Sequence, residues 1–517
     1  MKKQIELAIT PDEINLPEIL SIKSSQNLNI DKEQISAVIP LRRSIDARSK
    51  NIVFRILVDV YIGESPTESY KKIDYKPVPG NKNAVIVGCG PAGMFASLKL
   101  IELGIKPIVI ERGKDVQARR RDIRAIQQDH IVNPDSNYCF GEGGAGAYSD
   151  GKLYTRATKR GDIKKIMDIL IQHGADPDIA VDTHPHIGSN RLPKIVAAIR
   201  DTILSNGGEI HFNSRVDDLL IKENKIIGVR INAGNEIFGD ALILATGHSA
   251  RDIYYLLNKK KIRIDPKPFA MGVRIEHPQS LINQIRYHTK ENHPNLPAAG
   301  YALVTEVEDR GVYSFCMCHG GIIVPAATSP GEIVVNGMSL SKRNSPFANS
   351  GFVVEVTKQE WVKYESFQPF SALMLQQEIE QKAFNLANNT QSAPAQRVTD
   401  FVAEKVSSTL PKCSYIPGLT SAPLHNELPS FITKRLRKAL FDFNSKMRGY
   451  YTEEAVLVGV ETRTSSPIRI PRDRETYMHP QISGLFPCGE GAGYAGGIVS
   501  AAIDGENCAV AIHSFLN

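Results

Sequence analysis

Residues 84–93 read AVIVGCGPAG, an apolar run that leads directly into a turn of the form G-x-G-x-x-G. The run predicts a buried strand, and the turn stands where a helix would begin. Gly88 allows the tight turn, Gly90 lets the backbone approach a pyrophosphate, and Gly93 permits close packing of helix on strand. A second apolar run at 107–110 completes a βαβ unit. This stretch predicts a Rossmann-like α/β domain that binds a dinucleotide, with the phosphates at the helix N-terminus.

An acidic residue follows the second predicted strand. Glu111 comes about 20 residues after the glycines, where the fingerprint places the acceptor for the ribose hydroxyls. The glycines alone would be weak support, because a glycine turn also occurs in α/β sheets that bind no nucleotide. Strand, helix and acid together favour a dinucleotide site.

Length and composition set the limits for the rest of the chain. A chain of 517 residues is too long for one apolar core, so we expect more than one domain. The balance of 62 basic and 56 acidic residues, a net charge of +6, is too mild to indicate a nucleic-acid or membrane partner. The sequence contains neither a membrane-spanning apolar stretch nor a signal-peptide pattern at its N-terminus. We therefore expect a soluble, cytoplasmic protein without a metal site, whose seven cysteines are reduced thiols.

The pattern changes along the chain and divides it into four segments. Residues 1–75 alternate β-rich runs with a polar, helix-like segment and predict a small α+β domain. Residues 82–255 predict the first part of the dinucleotide-binding domain. Residues 256–450 change to short alternating strands with a helical annex and predict a mainly antiparallel α+β substrate domain. Residues 451–517 return to glycine-rich turns and an apolar helix, and predict the C-terminal part of the discontinuous Rossmann-like domain.

Three further motifs bear on the identity of the dinucleotide. The second strand ends in Glu111-Arg112-Gly113, a later buried strand ends in Ala245-Thr246-Gly247, and residues 484–491 read GLFPCGEG. These motifs resemble the two-dinucleotide-binding-domain flavoproteins, the glutathione-reductase-like superfamily. The resemblance implies that the cofactor is FAD. It also implies that Glu490 replaces the aspartate that holds a ribityl hydroxyl, and that a helix starting at 496–498 points its N-terminus at the flavin's pyrimidine edge.

Longer motifs resemble a family described as uncharacterised FAD-dependent dehydrogenases. They extend over nearly the whole chain, at 140–146 with 149–153, 183–188, 267–272, 315–318 with 320–321, and 461–467. This resemblance implies an FAD-dependent oxidoreductase, and it implies no particular substrate.

The cofactor site is predicted from these motifs and from one loop. Residues 141–152 contain five glycines in twelve positions, so their backbone can lie flat against the isoalloxazine and ribityl chain; a flexible surface loop is the alternative. Val216 stands where related flavoproteins turn their backbone towards the adenine. The predicted cofactor residues are Gly88, Gly90, Pro91, Ala92, Gly93, Glu111, Arg112, Gly144, Ala145, Gly146, Ser149, Asp150, Gly151, Lys152, Val216, Ala245, Thr246, Gly247, Gly489, Glu490, Gly496, Gly497 and Ile498.

Candidate catalytic side chains are less well defined. Four histidines lie in turn-like sequence, where each is either a general acid–base or a hydrogen-bonding strut: His184, His186, His248 and His319. Three arginines would either bind an anionic substrate or pair with a carboxylate across the domain interface: Arg274, Arg463 and Arg469.

Two cysteines separated by one residue invite a redox interpretation. On a regular strand Cys316 and Cys318 would point to the same face. Cytosolic redox pairs more often have two or more intervening residues, and a metal site would need ligands beyond the adjacent His319. Buried small apolar residues near the substrate cavity are the favoured interpretation.

The favoured function is an FAD-dependent oxidoreductase, a dehydrogenase or reductase that transfers hydride to or from a small substrate. The chain has one dinucleotide fingerprint, so either NAD(P)H binds transiently without its own domain or another partner exchanges electrons. The missing Cys-x4-Cys after the fingerprint disfavours a disulfide reductase. An RNA-modifying flavoenzyme is one alternative, although the basic clusters at 119–121 and 259–261 are more typical of a solvated surface. A non-catalytic FAD-binding protein is the other, and the oligomeric state stays open.

Overall fold

A small antiparallel sheet with one helix forms the N-terminal part of the protein. The computed structural model describes residues 1–49, 51–66, 72–155, 159–289 and 293–517. The first elements are β1 (Lys2–Ile9), α1 (Ile19–Leu28), β2 (Ile35–Asp46) and β3 (Val53–Ile62). The strand order is β1-β3-β2. Helix α1 packs against this sheet, and the apolar side chains of both form one cluster. Arg43 of β2 joins this sheet to the next domain through ion pairs of 2.7 Å with both Asp178 and Asp182.

The fingerprint region contains the next group of elements. They are β4 (Asn83–Val87), α2 (Pro91–Glu102), β5 (Lys106–Ile110), α3 (Arg119–Gln128), α4 (Ile163–Gln172), α5 (Leu192–Ser205), β6 (Glu209–His211), β7 (Val216–Lys222), β8 (Lys225–Ile231), β9 (Asn235–Phe238), β10 (Ala241–Leu244) and α6 (Arg251–Lys259). The glycine turn therefore stands between a strand and a helix, as predicted, and Pro91 occupies the first position of α2.

The second half of the chain supplies most of the antiparallel structure. Its elements are β11 (Asp265–Pro266), β12 (Phe269–Pro278), α7 (Gln279–Tyr287), β13 (Val304–Val307), β14 (Arg310–Cys318), β15 (Ile322–Pro325), β16 (Val335–Met338), β17 (Phe347–Val356), α8 (Ser371–Leu386), β18 (Ala393–Arg397), α9 (Val398–Val402), β19 (Leu419–Ser421), α10 (Leu424–Glu427), α11 (Ser430–Lys446), β20 (Val456–Glu461), β21 (Ile468–Arg469), β22 (Leu485–Pro487) and α12 (Ile498–Leu516). Among the described residues, no helix is both long enough and apolar enough to cross a bilayer.

A five-stranded parallel sheet, in the order β22-β10-β4-β5-β6, is the centre of the fingerprint domain. Alternate residues of its strands enter different apolar clusters. Ile86 and Ile243 pack on one face of the sheet, whereas Val85 and Leu244 pack on the other. Because helices or loops cover both faces, the strands are apolar throughout, which is why the sequence shows unbroken apolar runs.

The C-terminal segment completes this sheet. Strand β22 pairs with β10, and α12 packs along α2. A side chain at Gly505 of α12 would overlap the carbonyl oxygen of Ala92 in α2, so glycine lets the two helices touch. The predicted discontinuous α/β arrangement therefore has a physical basis in strand pairing and helix packing.

A seven-stranded sheet, in the order β13-β14-β17-β12-β20-β18-β19, forms the other large unit. Its pairs are antiparallel except β18 with β19. Strand β20 lies beyond residue 450, the boundary suggested by the sequence, yet it pairs with β12 and β18 inside this sheet. The short apolar run of β20 fits either type of sheet, so sequence pattern alone placed it on the wrong side of the boundary.

Candidate functional site

A cavity of about 360 Å³ lies between the carboxyl ends of the parallel strands and the seven-stranded sheet. The floor is formed by residues at or just after the ends of β4, β5, β10 and β22: Val87, Gly88, Ile110, Glu111, Ala245, Thr246 and Gly489. The roof includes Phe315, Cys316 and Cys318 of β14, Asn336 and Gly337 of β16, and Glu461 of β20. Open α/β sheets bind ligands at this edge of the strands.

The glycine turn can be built only from glycines. Gly88 has φ of 107°, a conformation that side chains rarely adopt, and a Cβ there would overlap the carbonyl oxygen of Ala245. A Cβ at Gly93 would overlap the carbonyl oxygen of Gly88. Gly93 thus fills the packing role that the sequence suggested, and it does not line the cavity. All the other predicted cofactor residues do.

Two helices begin at the cavity without a side-chain cap. The residue before α2 is Gly90 and the residue before α12 is Gly497, and neither supplies a capping hydrogen bond. The N–H groups in the first turn of a helix have no partner within the helix, and the helix dipole adds positive potential there. Two such ends facing one cavity favour an anionic or strongly polar ligand.

Glu111 ties three parts of the site together. Its Oε2 accepts a hydrogen bond of 2.9 Å from the backbone N–H of Cys89, and its Oε1 accepts bonds of 2.9 Å from the N–H groups of Gly113 and Gly141. A carboxylate accepts about four hydrogen bonds, so room for one more remains on the side that lines the cavity.

The glycine-rich loop is held in place by a residue that sequence reasoning missed. Arg119 is fully buried, and its guanidinium donates to the carbonyl oxygens of Asn137, Glu142, Tyr138 and Gly144 at 2.7–2.9 Å. The expectation that the cluster at 119–121 is a solvated surface is therefore wrong for its first member. A loop dense in glycine has many backbone carbonyl groups that no side chain covers, and these groups need hydrogen-bond donors. This need was the sequence signal for a buried donor such as Arg119.

The same loop lies against the fingerprint turn. A Cβ at Gly144 would come within 3.1 Å of the Cα of Gly90, and one at Gly141 would come within 2.5 Å of the Cδ of Arg119. These contacts leave no space for larger residues. The alternative of a flexible surface loop does not describe residues 141–144, because Arg119 and the turn contact them from two sides.

The residues of the floor fit a flavin dinucleotide. The uncapped N-terminus of α2 suits a pyrophosphate, and Glu111 suits a ribose. Thr246 also lines the cavity. Its buried Oγ1 has no hydrogen-bond partner among the described residues. An orphaned buried hydroxyl is costly unless a ligand satisfies it.

Glu490 lines the cavity beside the strand end of β22. Burial raises the pKa of its carboxyl group to about 7, and the nearby Lys267 lowers it only in part. Such a group exchanges its proton near neutral pH.

Arg463 lines the cavity but is paired within the protein. Its Nε and Nη2 donate to Glu380 at 3.0 and 2.8 Å, Nη2 also donates to Glu332 at 3.1 Å, and Nη1 donates to Thr328 at 2.6 Å. These bonds use four of the five N–H donors of the guanidinium. A bidentate contact with a substrate carboxylate is thus blocked, and the carboxylate pairing that the sequence left open is what the structure has.

The other two candidate arginines, Arg274 and Arg469, lie outside the cavity lining. Arg274 is fully buried and donates to Glu461 at 2.8 Å, to the Asn349 side chain at 2.7 Å and to the carbonyl oxygen of Cys316 at 2.7 Å. Arg469 lies over the ring of Tyr494, 5.5 Å from its centroid. Neither lines the cavity.

Only one of the four candidate histidines lines the cavity. Burial lowers the pKa of His248 to about 4, assisted by the charge of Arg463, so this imidazole is neutral at pH 7. His184 packs edge-on against Tyr154, and burial lowers the pKa of His186 to about 4. His319 accepts a hydrogen bond of 2.6 Å from Arg343. His184, His186 and His319 are not brought to the cavity.

Strand β14 departs from regular geometry at the two cysteines. Phe315 pairs with Gly351 and Cys318 with Asn349, so one extra residue is inserted on this strand. The bulge interrupts the regular alternation of the strand, and both thiols line the cavity: Cys316 is exposed to it, and Cys318 is buried in its wall. The expectation of two buried residues is therefore wrong for Cys316, because a bulge leaves no signal in residue type.

Comparison with known proteins gives matches over nearly the whole chain. The family described as FAD-dependent protein, C-terminal domain-like, matches residues 268–464, and a domain family of unknown function matches residues 1–61. An uncharacterised protein of Clostridium beijerinckii is 40% identical over 524 residues, which cover 96% of this chain and 97% of the relative.

More distant similarities are partial. Thiamine thiazole synthase of Methanococcus maripaludis is 23% identical over 236 residues, or 43% of this chain and 76% of that protein. Among solved structures, CtdE in complex with FAD matches 83% of this chain and 84% of its own, at 12% identity and a TM-score of 0.34. A TM-score this low does not establish a shared fold.

Proposed function

The chain belongs to one family with its Clostridium beijerinckii relative, and from this premise and the match of residues 268–464 to an FAD-dependent protein family we propose that it is an oxidoreductase whose bound FAD transfers hydride to or from a small substrate. The observation that carries the proposal is the single cavity walled on one side by the glycine turn, the glycine-rich loop and the start of α12, and on the other by a separate sheet. The first wall would hold the flavin dinucleotide, and the opposite wall would face the substrate.

Residues of the floor would hold the cofactor. The start of α2 would take the pyrophosphate, Glu111 a ribose hydroxyl, and Thr246 a further polar group of the dinucleotide. The start of α12 would face the pyrimidine edge of the ring, and Glu490 would hold the ribityl chain, as the superfamily resemblance implies. When bound, FAD supplies the hydride chemistry, and the protein supplies position and electrostatics.

The roof would serve the substrate. Its residues come from β14, β16 and β20, and these elements would help to exclude water from the reacting centre. Glu490 can give or take a proton near neutral pH because of its raised pKa. His248 is a neutral hydrogen-bonding group and not a cation at that pH.

Anaerobic reduction of the purified, FAD-loaded protein tests the proposal. We expect a physiological donor, with NADH and NADPH as first candidates, to bleach the flavin absorbance, and an added acceptor to restore it. Bleaching by neither nucleotide nor a thiol donor, together with no reoxidation by any acceptor, would instead favour a non-catalytic FAD-binding protein. Retention of RNA at physiological salt would revive the RNA-modifying alternative.

A further inference from the structure

The two thiols of the roof have a setting that the flavin site alone does not explain. Cys316 has φ of 42°, in the left-handed region that residues other than glycine rarely adopt, and lies in the bulge of β14. This geometry leaves Cys316 exposed to the cavity, although the strand on either side of it is part of a covered sheet. Cys318 lines the same cavity from within the wall, and its thiol donates to the carbonyl oxygen of Cys316 at 3.3 Å.

Two cations face the pair. The Arg274 Nη2 atom lies 3.5 Å from the Sγ of Cys318, and the Lys152 Nζ atom lies 4.0 Å from the same sulfur. Poor solvation at the cavity wall raises the pKa of the Cys316 thiol to about 11, and burial raises that of Cys318, while the charges of Lys152 and Arg274 lower both. At neutral pH the reduced pair is therefore a dithiol, and the positive charges beside the Cys318 sulfur stabilise a thiolate when one forms.

A proton acceptor lies on the same wall. Glu461 lines the cavity and accepts a hydrogen bond from Arg274 through Oε2. Burial raises the pKa of its carboxyl group, so the carboxylate binds a proton more readily than an exposed glutamate does. Thiol, carboxylate and cation thus meet in one part of the roof.

We propose that Cys316 and Cys318 are a redox-active pair that carries two electrons from a thiol donor to the bound flavin. This inference rests on the proposed function, and it names the class of electron donor. It also offers a reason why the chain needs only one dinucleotide fingerprint, since a dithiol donor requires no second nucleotide-binding domain.

The electron pair moves in two balanced steps. In the first, a donor dithiol attacks the Cys316–Cys318 disulfide; the protein S–S bond breaks, one S–S bond forms in the donor, and its two protons pass to the protein sulfurs. In the second, the two protein S–H bonds break and the S–S bond re-forms. Two electrons and one proton pass to the flavin, and the second proton passes to Glu461. Cys316 is the sulfur that the donor reaches, because Cys318 is buried.

Counting electrons and thiols tests this proposal without an activity assay. The FAD-loaded protein is oxidised, then titrated anaerobically with dithionite; separately, it is denatured and alkylated, and its free thiols are counted by mass spectrometry. We expect four electrons per FAD in the wild type, two for the flavin and two for the disulfide, and two fewer alkylated cysteines than the seven in the sequence. Dithiothreitol should bleach the flavin.

Matched variants locate the effect. Cys316→Ser and Cys318→Ser should each take up two electrons per FAD and lose bleaching by dithiothreitol, while dithionite still reduces their flavin. Cys413→Ser removes a thiol outside the cavity lining and should behave as the wild type. Bound FAD that takes two electrons in the wild type, with all seven cysteines alkylated after oxidation, would overturn the dithiol and leave the flavoenzyme standing. Protein that binds no FAD would overturn the proposed function itself.

Discussion

At the scale of single residues, the shape of the site depends on buried charged side chains that form hydrogen bonds with the backbone around it. Arg119 is the main example, since four carbonyl oxygens of the loop region accept its hydrogen bonds. Glu111 does the same for three N–H groups. We therefore expect the loss of either side chain to disorder the glycine-rich loop, and to affect hydride transfer only through that disorder.

Replacing Arg119 by leucine should release the glycine-rich loop. The change leaves four carbonyl oxygens without their donor inside the protein, and we expect a loss of about 3 kcal/mol or more in the free energy of unfolding. FAD should dissociate more readily as well. Chemical denaturation and the FAD content after gel filtration measure the two effects.

Arg121→Leu is the matched control, because Arg121 is exposed on the same helix. A surface change of this kind should stay within about 0.5 kcal/mol of the wild type. Equal losses in the two variants would contradict the role given to Arg119.

The raised pKa of Glu490 predicts a pH dependence of stability. An acid whose pKa is higher in the folded state holds its proton there when the unfolded chain has lost it, so stability falls as pH rises from about 4.5 to about 7. Without FAD, Glu490→Gln should therefore become more stable than the wild type across this range, by up to about 3 kcal/mol at pH 8. Denaturation of both apoproteins at several pH values measures the difference, and parallel pH profiles would refute the assignment.

The sequence could predict which residues line the floor of the cavity, because glycine spacing and strand ends carry that information. It could not predict that Cys316 is exposed, and it indicated that the glycine-rich loop needs hydrogen-bond donors without indicating that Arg119 supplies them. A bulge is set by the pairing of β14 with β17, and the burial of one arginine in a run of three is set by which carbonyl groups happen to lie nearby. Residue type alone therefore indicates neither the bulge at Cys316 nor the burial of Arg119.

At the scale of elements, the contact between α2 and α12 closes the site. One helix follows the fingerprint turn and the other is the last element of the chain, and both begin at the cavity. The sequence predicted that both helices are apolar. Their contact depends on Gly505, whose importance follows only from the close approach to Ala92.

Gly505→Ala tests that contact in a way that separates packing from helix propensity. Alanine in place of a mid-helix glycine normally stabilises a helix by about 1 kcal/mol. Here the added methyl group would overlap the carbonyl oxygen of Ala92, so we expect a net loss of about 1–3 kcal/mol and weaker FAD binding. Thermal unfolding and FAD titration measure these changes.

Ser514→Ala provides the comparison at an exposed position of the same helix. It should leave both quantities unchanged within about 0.5 kcal/mol. A stabilised Gly505→Ala variant would show that the two helices are not in tight contact.

At the scale of the whole molecule, charged groups join the floor to the roof. Arg251 of α6 donates to Glu332 at 2.8 Å and to Glu380 of α8 at 2.7 Å, and both carboxylates also bind Arg463. Buried pairs of this kind fix relative position, since a change that removes one partner leaves an uncompensated charge. The sequence left open that Arg463 pairs with a carboxylate across the interface, but it did not indicate that Glu332 and Glu380 are the partners or that Arg251 joins them.

We propose that FAD binds in the cavity between these two units, on the glycine turn and loop. The most direct test of this proposal is the FAD content of the purified, reconstituted wild type beside that of Gly144→Val. A side chain at Gly144, where φ is 56°, would press on Gly90 and fill the cradle. We expect about one FAD per chain in the wild type and almost none in a folded variant. A wild type that retains no FAD, or a variant that retains as much as the wild type, would contradict the proposal.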